Sequence, residues 1–146
     1  MLKRVIDTNI FIDRFADPTA YRDLFLSDGL VYLSAVVLME LRTGAHSKKS
    51  LTAVHELVDF FKRVDRLVLP TLKDYERAGE LVAKLQATKG YTIRKSASIS
   101  NDCLIAASVR GIGGVLHTQN KKDFQAIRDV FDFEVIFVQA QTRKVS

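Results

Sequence analysis

The sequence predicts an α/β fold in which helices cover both faces of a central parallel sheet. Five short apolar segments have the length of buried strands, and longer segments with helical spacing of apolar residues separate them. Strands that alternate with helices along a chain are typical of parallel sheets with right-handed crossovers. A chain of 146 residues has the size of one domain, which we place at residues 1–140, before a polar tail at residues 141–146.

The first predicted strand ends in an acidic residue. Val5 and Ile6 are apolar, Asp7 follows them directly, and a short helix is predicted over residues 10–15. In an open parallel sheet, ligands bind beyond the carboxyl ends of the strands. Asp7 is therefore a candidate for holding a cation or a phosphate, although a structural or solvated acid at a strand end is a common alternative.

A second acid lies in the helix that follows the second strand. Another short helix over residues 20–26 precedes this strand, which is predicted over residues 30–33, and the helix over residues 35–42 begins after Ser34. The Ser34 hydroxyl is suited to cap the helix. Glu40 is surrounded by apolar residues, and burying a carboxylate costs free energy unless it has a partner. We regard Glu40 as a second candidate, with an exposed glutamate as the alternative.

The middle of the chain, residues 46–100, supplies predicted helices and a strand but no candidate acid for the site. A polar loop over residues 46–50 leads to a helix over residues 51–63, and a short strand is predicted over residues 65–69. Thr71, with Asp74 in the first turn, marks the start of a helix that continues to Gly90. A basic loop over residues 91–100 follows this helix.

The last third of the chain supplies two more candidate acids. Asp102 lies in the first turn of a helix that Ser100 and Asn101 are suited to cap, where the helix dipole favours an acid for purely structural reasons. Asp123 follows a strand predicted over residues 115–118, and its structural alternative is to cap the next helix. That helix is predicted over residues 124–130 and the last strand over residues 133–138.

These four carboxylates are expected to meet at one edge of the sheet. Right-handed crossovers bring the strand ends near Asp7 and Thr118 together, and the helix starts carry the other acids to the same edge. Clustered carboxylates repel one another unless protons or a divalent cation neutralise them. Oxygen ligands without a nearby cysteine or histidine favour Mg²⁺ or Mn²⁺. Such a cation can activate water for hydrolysis of a phosphodiester.

Composition narrows the class of protein and of partner. The net charge of +5 and the pI of about 9.4 favour a polyanionic partner such as nucleic acid, with a solvated basic face as the alternative. The single cysteine, Cys103, fits a reducing compartment and excludes a cysteine-rich zinc site. The apolar segments are too short to span a membrane, and we expect a cytoplasmic protein.

Four motifs, taken in order, resemble those of PIN domains and most closely those of VapC-type toxins. They are Asp7-Thr8-Asn9, Ser34 with Glu40-Leu41 and Gly44, Asn101-Asp102-Cys103-Leu104-Ile105-Ala106-Ala107, and Thr118-Gln119-Asn120-Lys121-Lys122-Asp123-Phe124. The resemblance covers nearly the whole chain. It implies a PIN-like α/β/α sandwich and a ribonuclease that depends on Mg²⁺ or Mn²⁺. It also implies a homodimer and a cognate antitoxin that inserts a peptide into the active-site groove.

The resemblance also implies roles for individual residues. The metal-binding and catalytic acids are Asp7, Glu40, Asp102 and, as the fourth, Asp123, whereas the residues that orient them are Thr8, Ser34, Thr118 and Asn120. Asn120 stands where members of the family often have an acid, and an amide cannot contribute charge. The cations expected to contact RNA are Arg94, Lys95, Lys121 and Lys122.

Three other functions compete with a toxin ribonuclease. A housekeeping PIN-domain nuclease that processes RNA would use the same site, and a catalytically weak PIN-like module would act by binding alone. A phosphoryl-transfer enzyme of the haloacid dehalogenase type would use Asp7 as a nucleophile. That pattern requires a second aspartate two residues later, where this chain has Asn9.

Overall fold

The structure, a computed structural model, describes residues 1–26, 29–92, 94 and 98–139. In chain order the elements are β1 (Lys3–Ile6), α1 (Thr8–Ala16), α2 (Arg22–Leu26), β2 (Leu30–Ser34), α3 (Ala35–Thr43), α4 (Lys48–Arg63), β3 (Leu67–Val68), α5 (Leu72–Lys89), α6 (Ile99–Gly111), β4 (Val115–Thr118), α7 (Lys121–Val130) and β5 (Val135–Phe137). The order of strands and helices is the predicted one. The predicted tail at residues 141–146 lies outside the described residues.

The five strands form one sheet in the order β3-β2-β1-β4-β5, and every pair of neighbours is parallel. From β1 the chain builds outward to β2 and β3, and it then crosses back to place β4 on the other side of β1. The strand order therefore reverses between β1 and β4, which is where ligands bind in open α/β sheets. The predicted α/β fold with a central parallel sheet is confirmed.

Apolar residues from the central strands and from the helices build the core. Val5, Ile6 and Leu116 on β1 and β4 are fully buried, as strands covered on both faces require. Helices α5, α6 and α7 pack against one another, and α1 and α4 each pack against α3. No helix in the described part of the chain is both long enough and apolar enough to span a membrane.

Predicted helix boundaries are confirmed at α3 and α5, where capping residues mark them. The Ser34 hydroxyl accepts hydrogen bonds from two backbone N–H groups in the first turn of α3, and Gly44 ends that helix. Thr71 and Asp74 form a reciprocal capping box at the start of α5. Gly90 ends α5 with φ of 71°, a left-handed conformation that glycine adopts without strain.

Four helices start earlier than the sequence predicted. Helix α1 begins at Thr8 rather than at residue 10, because the Asp7 carboxylate caps it by accepting from the Thr8 N–H at 2.8 Å. Helix α4 begins within the predicted loop over residues 46–50, because Ser47 caps it by accepting from the Ser50 N–H at 3.0 Å. Helix α7 begins three residues early, and its cap is Asn120 rather than Asp123. Helix α6 begins at Ile99, so the expected caps Ser100 and Asn101 lie inside its first turn. The first turns of α4 and α7 are polar and carry no apolar stripe, so hydrophobic periodicity detects these two helices too late.

The two edge strands are shorter than predicted. Asp65 has a left-handed backbone with φ of 54°, so the chain becomes extended only after it, and β3 is limited to two residues. Strand β5 has three residues, against six in the predicted segment. Short edge strands limit unwanted pairing with other chains.

Candidate active site

Asp7 lies at the carboxyl end of β1 and caps α1. Its Oδ1 accepts a hydrogen bond from the backbone N–H of Thr8 at 2.8 Å, and its own N–H donates to the carbonyl of His117 on β4 at 3.0 Å. The side chain is buried, with 6% of its surface exposed. The junction of strand and helix therefore fixes this carboxylate at the point where the strand order reverses.

Thr118 ends the neighbouring strand and contacts the same carboxylate. The parallel register pairs Ile6 with His117, which places the next residues of the two strands side by side. Thr118 Oγ1 donates to Asp7 Oδ2 at 2.6 Å, and both side chains are buried. The expected meeting of these two strand ends is therefore present in the structure.

Glu40 reaches this end of the sheet from α3. Thr8 Oγ1 donates to Glu40 Oε1 at 2.7 Å, and the Asn101 side chain forms a further hydrogen bond with Glu40. Thr8 belongs to α1 and Asn101 to α6, so the carboxylate lies where three helices converge. Glu40 is partly buried and bonded to protein donors, which differs from the alternative of a solvated helix glutamate.

Asp102 comes from the first turn of α6 and is 5% exposed. Its Oδ2 is the only buried side-chain oxygen or nitrogen without a hydrogen-bond partner in the described part of the chain. A buried polar atom without a partner costs free energy, so native proteins usually provide it with a donor, a water or an ion. Asp102 Oδ2 is therefore the atom at this site that most needs a ligand.

Asp123 lies in the first turn of α7, and both of its oxygens accept hydrogen bonds. The Tyr91 hydroxyl donates to Oδ1 at 2.8 Å, and the Asn120 side-chain amide donates to Oδ2 at 3.1 Å. The Asn120 Oδ1 accepts in return from the Asp123 backbone N–H at 3.2 Å. The start of α7 thus holds Asn120 and Asp123 together as a pair.

The electrostatics indicate that the four carboxylates act on one another. Burial raises the pKa of Asp102 to about 8, and the charges of Asp7, Glu40 and Asp123 add to that rise. Burial also raises the pKa of Asp7, against the opposing effect of its hydrogen bonds from Thr118 and Thr8. The pKa of Glu40 is raised, mainly by burial and further by the charge of Asp7. Repulsion of this kind favours a proton or a cation within the cluster.

The residues present fit a hard divalent cation by chemistry, although they are not gathered into a finished ligand set. Within the described ranges, no three side chains of His, Cys, Asp or Glu lie close enough together to hold a metal ion as they stand. The donors are all oxygens, and one of them, Asp102 Oδ2, is buried without a partner. Carboxylate oxygens are the usual ligands of Mg²⁺ and Mn²⁺, which often retain several water molecules.

The other expected site residues fall into three groups. Ser34 caps α3, so its expected contact with a carboxylate stays a prediction. Arg94, Lys121 and Lys122 are exposed, Arg94 in a turn and the two lysines in the first turn of α7. Lys95 lies outside the described residues.

Two buried residues beside the site have structural explanations. Cys103 is fully buried in the core, and burial together with the charges of Asp102 and Asp123 raises its thiol pKa to about 12. His117 is 3% exposed, and its Nε2 accepts a hydrogen bond from Arg4 Nη1 at 3.3 Å. Burial and the charge of Arg4 lower the pKa of His117 to about 4, so the ring is neutral at pH 7.

Sequence reasoning missed the partners that come from distant parts of the chain. Tyr91 and Asn101 contact the candidate acids. Tyr91 belongs to none of the four motifs, and Asn101 was expected only as a helix cap and as the start of the third motif. A second polar group lies beside the site, where Asp13 Oδ2 accepts from the Tyr21 hydroxyl at 2.7 Å and from Gln119 Nε2 at 2.8 Å. These contacts depend on tertiary packing, which periodicity and spacing do not report.

Comparison with known proteins gives one family and a set of similar structures. The family described as PIN domain matches residues 4–130. No curated protein shows a significant match. Similar structures include VapBC2 from Rickettsia felis bound to a DNA fragment from its promoter, at 26% identity and a TM-score of 0.69 over 94% of this chain and 100% of the other.

Two further similar structures are VapBC-1 from nontypeable Haemophilus influenzae and DNA-bound VapBC from Salmonella typhimurium. The first has 24% identity and a TM-score of 0.68 over 93% of this chain and 98% of the other. The second has 23% identity and a TM-score of 0.69 over 94% and 98% of the two chains. At these identities both comparisons report on the fold.

Proposed function

We propose a function from the premise that this chain belongs to the PIN domain family, a family whose members are generally nucleases. The proposed activity is endonucleolytic hydrolysis of RNA phosphodiester bonds with Mg²⁺ or Mn²⁺. The proposed role is that of the toxin in a toxin–antitoxin pair. Similarity to VapBC structures, one of them at 26% identity, supports the toxin assignment.

A single observation carries the proposal. Asp102 Oδ2 is buried without a partner, and its burial, together with the charges of three other carboxylates, raises the pKa of this side chain. A fold that only needed stability would gain by replacing such an acid with an apolar residue. Retaining an unpaired carboxylate among other carboxylates is what a cation site requires.

The proposed ligands are Asp7, Glu40, Asp102 and Asp123. A bound Mg²⁺ or Mn²⁺ would polarise the phosphate and lower the pKa of an attacking water. Asp102 offers the unpaired oxygen, whereas hydrogen bonds to Thr118 and Thr8 hold Asp7 and Glu40 in place. Thr8, Thr118 and Asn120 are proposed to orient the acids, because residues that bond to metal ligands fix their geometry.

The proposed substrate is single-stranded or looped RNA. An exposed phosphate must reach carboxylates at the end of the sheet, and a splayed strand presents one more readily than a duplex does. Arg94, Lys121 and Lys122 are exposed, and these cations are proposed to hold the RNA backbone. The net charge of +5 supports a polyanionic substrate, because released counterions favour binding.

The proposed partners follow from the resemblance to VapC-type toxins and from the VapBC names of the similar structures. We infer a cognate antitoxin that covers the active-site groove and a homodimer of this chain in the cytoplasm. Purification of the chain with and without the product of an adjacent small reading frame, followed by measurement of molar mass, tests both inferences.

The activity is tested by incubating total cellular RNA with purified protein in Mg²⁺, in Mn²⁺ and in EDTA. Wild-type protein should cut RNA only with a divalent cation, and both Asp7→Asn and Asp102→Asn should lose more than about 100-fold in rate, because each removes a charged ligand. Asp59→Asn, which changes an exposed acid on α4, is the matched control and should cut like wild type. Equal cutting by wild type and both site variants would refute the proposed nuclease site.

A binding module that lacks strong catalysis is the second candidate. It is favoured by the finding that no three potential ligands among the described residues lie close enough to form a ready-made metal site. In that case RNA would stay intact with every cation, while binding of RNA or of a protein partner would persist in Glu40→Gln.

A further inference from the structure

Tyr91 places a phenol hydroxyl on one of the four candidate acids. Its hydroxyl donates to Asp123 Oδ1 at 2.8 Å, across 32 positions of sequence. The ring is partly buried against the hydrophobic core, so the hydroxyl is held in position rather than free in solvent. Tyr91 is therefore a fixed donor beside the candidate metal site.

The turn that ends α5 places the Tyr91 side chain against the start of α7. Gly90 turns the chain with φ of 71°, and the next residue, Tyr91, faces the start of α7. One residue before the turn, Lys89 Nζ contacts Asp129 Oδ2 on α7 at 3.0 Å. These two side-chain contacts join the end of α5 to α7, and of the two it is the contact from Tyr91 that ends on a candidate ligand.

Both carboxylate oxygens of Asp123 accept hydrogen bonds from side chains. Tyr91 donates to Oδ1, and the side-chain amide of Asn120 donates to Oδ2 at 3.1 Å. Two donors on opposite oxygens fix the plane of a carboxylate. Each carboxylate oxygen has two lone pairs, so one hydrogen bond on each oxygen leaves the other lone pair for a cation.

We propose that Tyr91 is a positioning residue that fixes the carboxylate of Asp123 for cation binding. The inference rests on the proposed function, because it requires a cation at the four carboxylates. Groups that hydrogen-bond to metal ligands typically change metal affinity by about 10-fold to 100-fold when removed. Tyr91 would then act on the cation through Asp123 and without touching it.

A purely structural role predicts something different. If Tyr91 only attached α5 to α7, losing its hydroxyl would lower the melting temperature and leave cation affinity unchanged. A positioning role predicts lower cation affinity, and it predicts that the effect disappears when Asp123 can no longer be a charged ligand. A double-mutant cycle measures this dependence.

The experiment is calorimetric titration of the purified full-length protein with Mn²⁺ alone at pH 7. The variants are Tyr91→Phe, Asp123→Asn and the double variant, with Tyr75→Phe as the matched control because Tyr75 is an exposed tyrosine on α5. We expect Tyr91→Phe to weaken Mn²⁺ binding about 10-fold, Tyr75→Phe to leave it unchanged, and Tyr91→Phe to have no further effect in the Asp123→Asn background.

Unchanged or tighter Mn²⁺ binding in Tyr91→Phe would overturn the inference, as would an equal loss in the presence and absence of the Asp123 carboxylate. An Asp102→Asn sample shows whether such a result concerns Tyr91 alone or the proposed metal site as a whole. If wild type binds Mn²⁺ and Asp102→Asn does not, unchanged Mn²⁺ binding in Tyr91→Phe refutes only the role of Tyr91. If wild type binds no Mn²⁺, both proposals are refuted.

Discussion

At the scale of single residues, Asp102 differs from the other three acids in what surrounds it. Hydrogen bonds from Thr118 and Thr8 support Asp7 and Glu40, whereas Asp102 Oδ2 is buried without a donor. Burial, and after it the negative charges of Asp7, Glu40 and Asp123, raise the pKa of Asp102 and so oppose its ionisation. In the absence of a cation, Asp102 is therefore the residue at which proton uptake relieves the repulsion within the site.

Asp102→Asn should stabilise the metal-free protein while removing the proposed nuclease activity. The pKa of the Asp102 carboxyl is raised from 3.8 to about 8 in the native state, so the native state binds more protons than the unfolded state between those pH values. The free energy of unfolding of the wild-type protein therefore falls as pH rises from 3.8 to about 8. At pH 7 the amide avoids a cost of up to roughly 4 kcal/mol. Urea denaturation in EDTA at pH 5 and pH 8 checks this. A variant less stable than wild type at pH 8 would contradict it.

At the scale of secondary structure elements, the pairing of β1 with β4 positions the site and contains a hydrogen bond between a partly buried arginine and a buried histidine. Arg4 on β1 donates to His117 on β4, and the backbone of His117 accepts from Asp7. The neutral imidazole accepts this hydrogen bond, whereas a protonated ring would face the positive charge of Arg4. The pairing of the two central strands therefore depends on a neutral His117.

Acid should weaken this strand pair. The pKa of His117 is about 4 in the folded state and 6.5 in the reference state, so between those values the unfolded state binds the extra proton and stability falls as pH falls. Protonation of the unfolded state at this histidine lowers the free energy of unfolding by roughly 3 kcal/mol by pH 4. His117→Gln keeps an acceptor for Arg4 without titrating, and its free energy of unfolding should vary less with acid pH than that of wild type.

The control for this prediction is His55→Gln, which changes an exposed histidine on α4. Urea denaturation between pH 4 and pH 7 should give the same pH profile for His55→Gln as for wild type. Identical profiles for wild type and His117→Gln would show that the buried imidazole does not couple protonation to stability.

The sequence predicted those elements whose apolar pattern or capping residues are local. The order of all strands and helices, the capping of α3 by Ser34 and the capping box at Thr71 are local features, and they were predicted. The early starts of α4 and α7 were missed because their first turns are polar and face solvent. Hydrophobic periodicity does not detect such turns.

In the candidate site too, some contacts were predicted from local sequence features and others were missed. Asp7 and Thr118 were placed together from strand ends and crossover handedness alone, and their hydrogen bond is present. The contacts of Tyr91 with Asp123 and of Asn101 with Glu40 join residues far apart in sequence. Neither contact follows from spacing, because each depends on how two helices pack in three dimensions.

At the scale of the whole molecule, excess positive charge gives the protein a long-range attraction for polyanions. The chain has 22 lysines and arginines against 17 acids, and the four candidate acids concentrate negative charge at one end of the sheet. The proposed RNA substrate would be repelled by these acids, so its binding requires cations near them, and Lys121 and Lys122 are the cations proposed for this role.

Changing both Lys121 and Lys122 to glutamate should weaken RNA binding with little effect on bond cleavage. Each lost contact with a phosphate should lower the slope of log affinity against log salt concentration by about 0.7 for single-stranded RNA. KM should rise about 10-fold at low salt while kcat changes less than about 2-fold, because uniform binding is lost. Lys62→Glu, an exposed lysine at the end of α4, is the matched control. An equal effect of that variant would refute a specific role for the pair.

We propose that four carboxylates from different parts of the chain form one coupled site for a divalent cation. The most direct test is a carbon-13 NMR titration of the Asp102 carboxyl, first in EDTA and then with saturating Mg²⁺. We expect a midpoint near pH 8 without cation and a midpoint displaced well below neutrality with Mg²⁺, because cation binding competes with the proton. A midpoint near the ordinary value of 3.8 that Mg²⁺ does not move would contradict it.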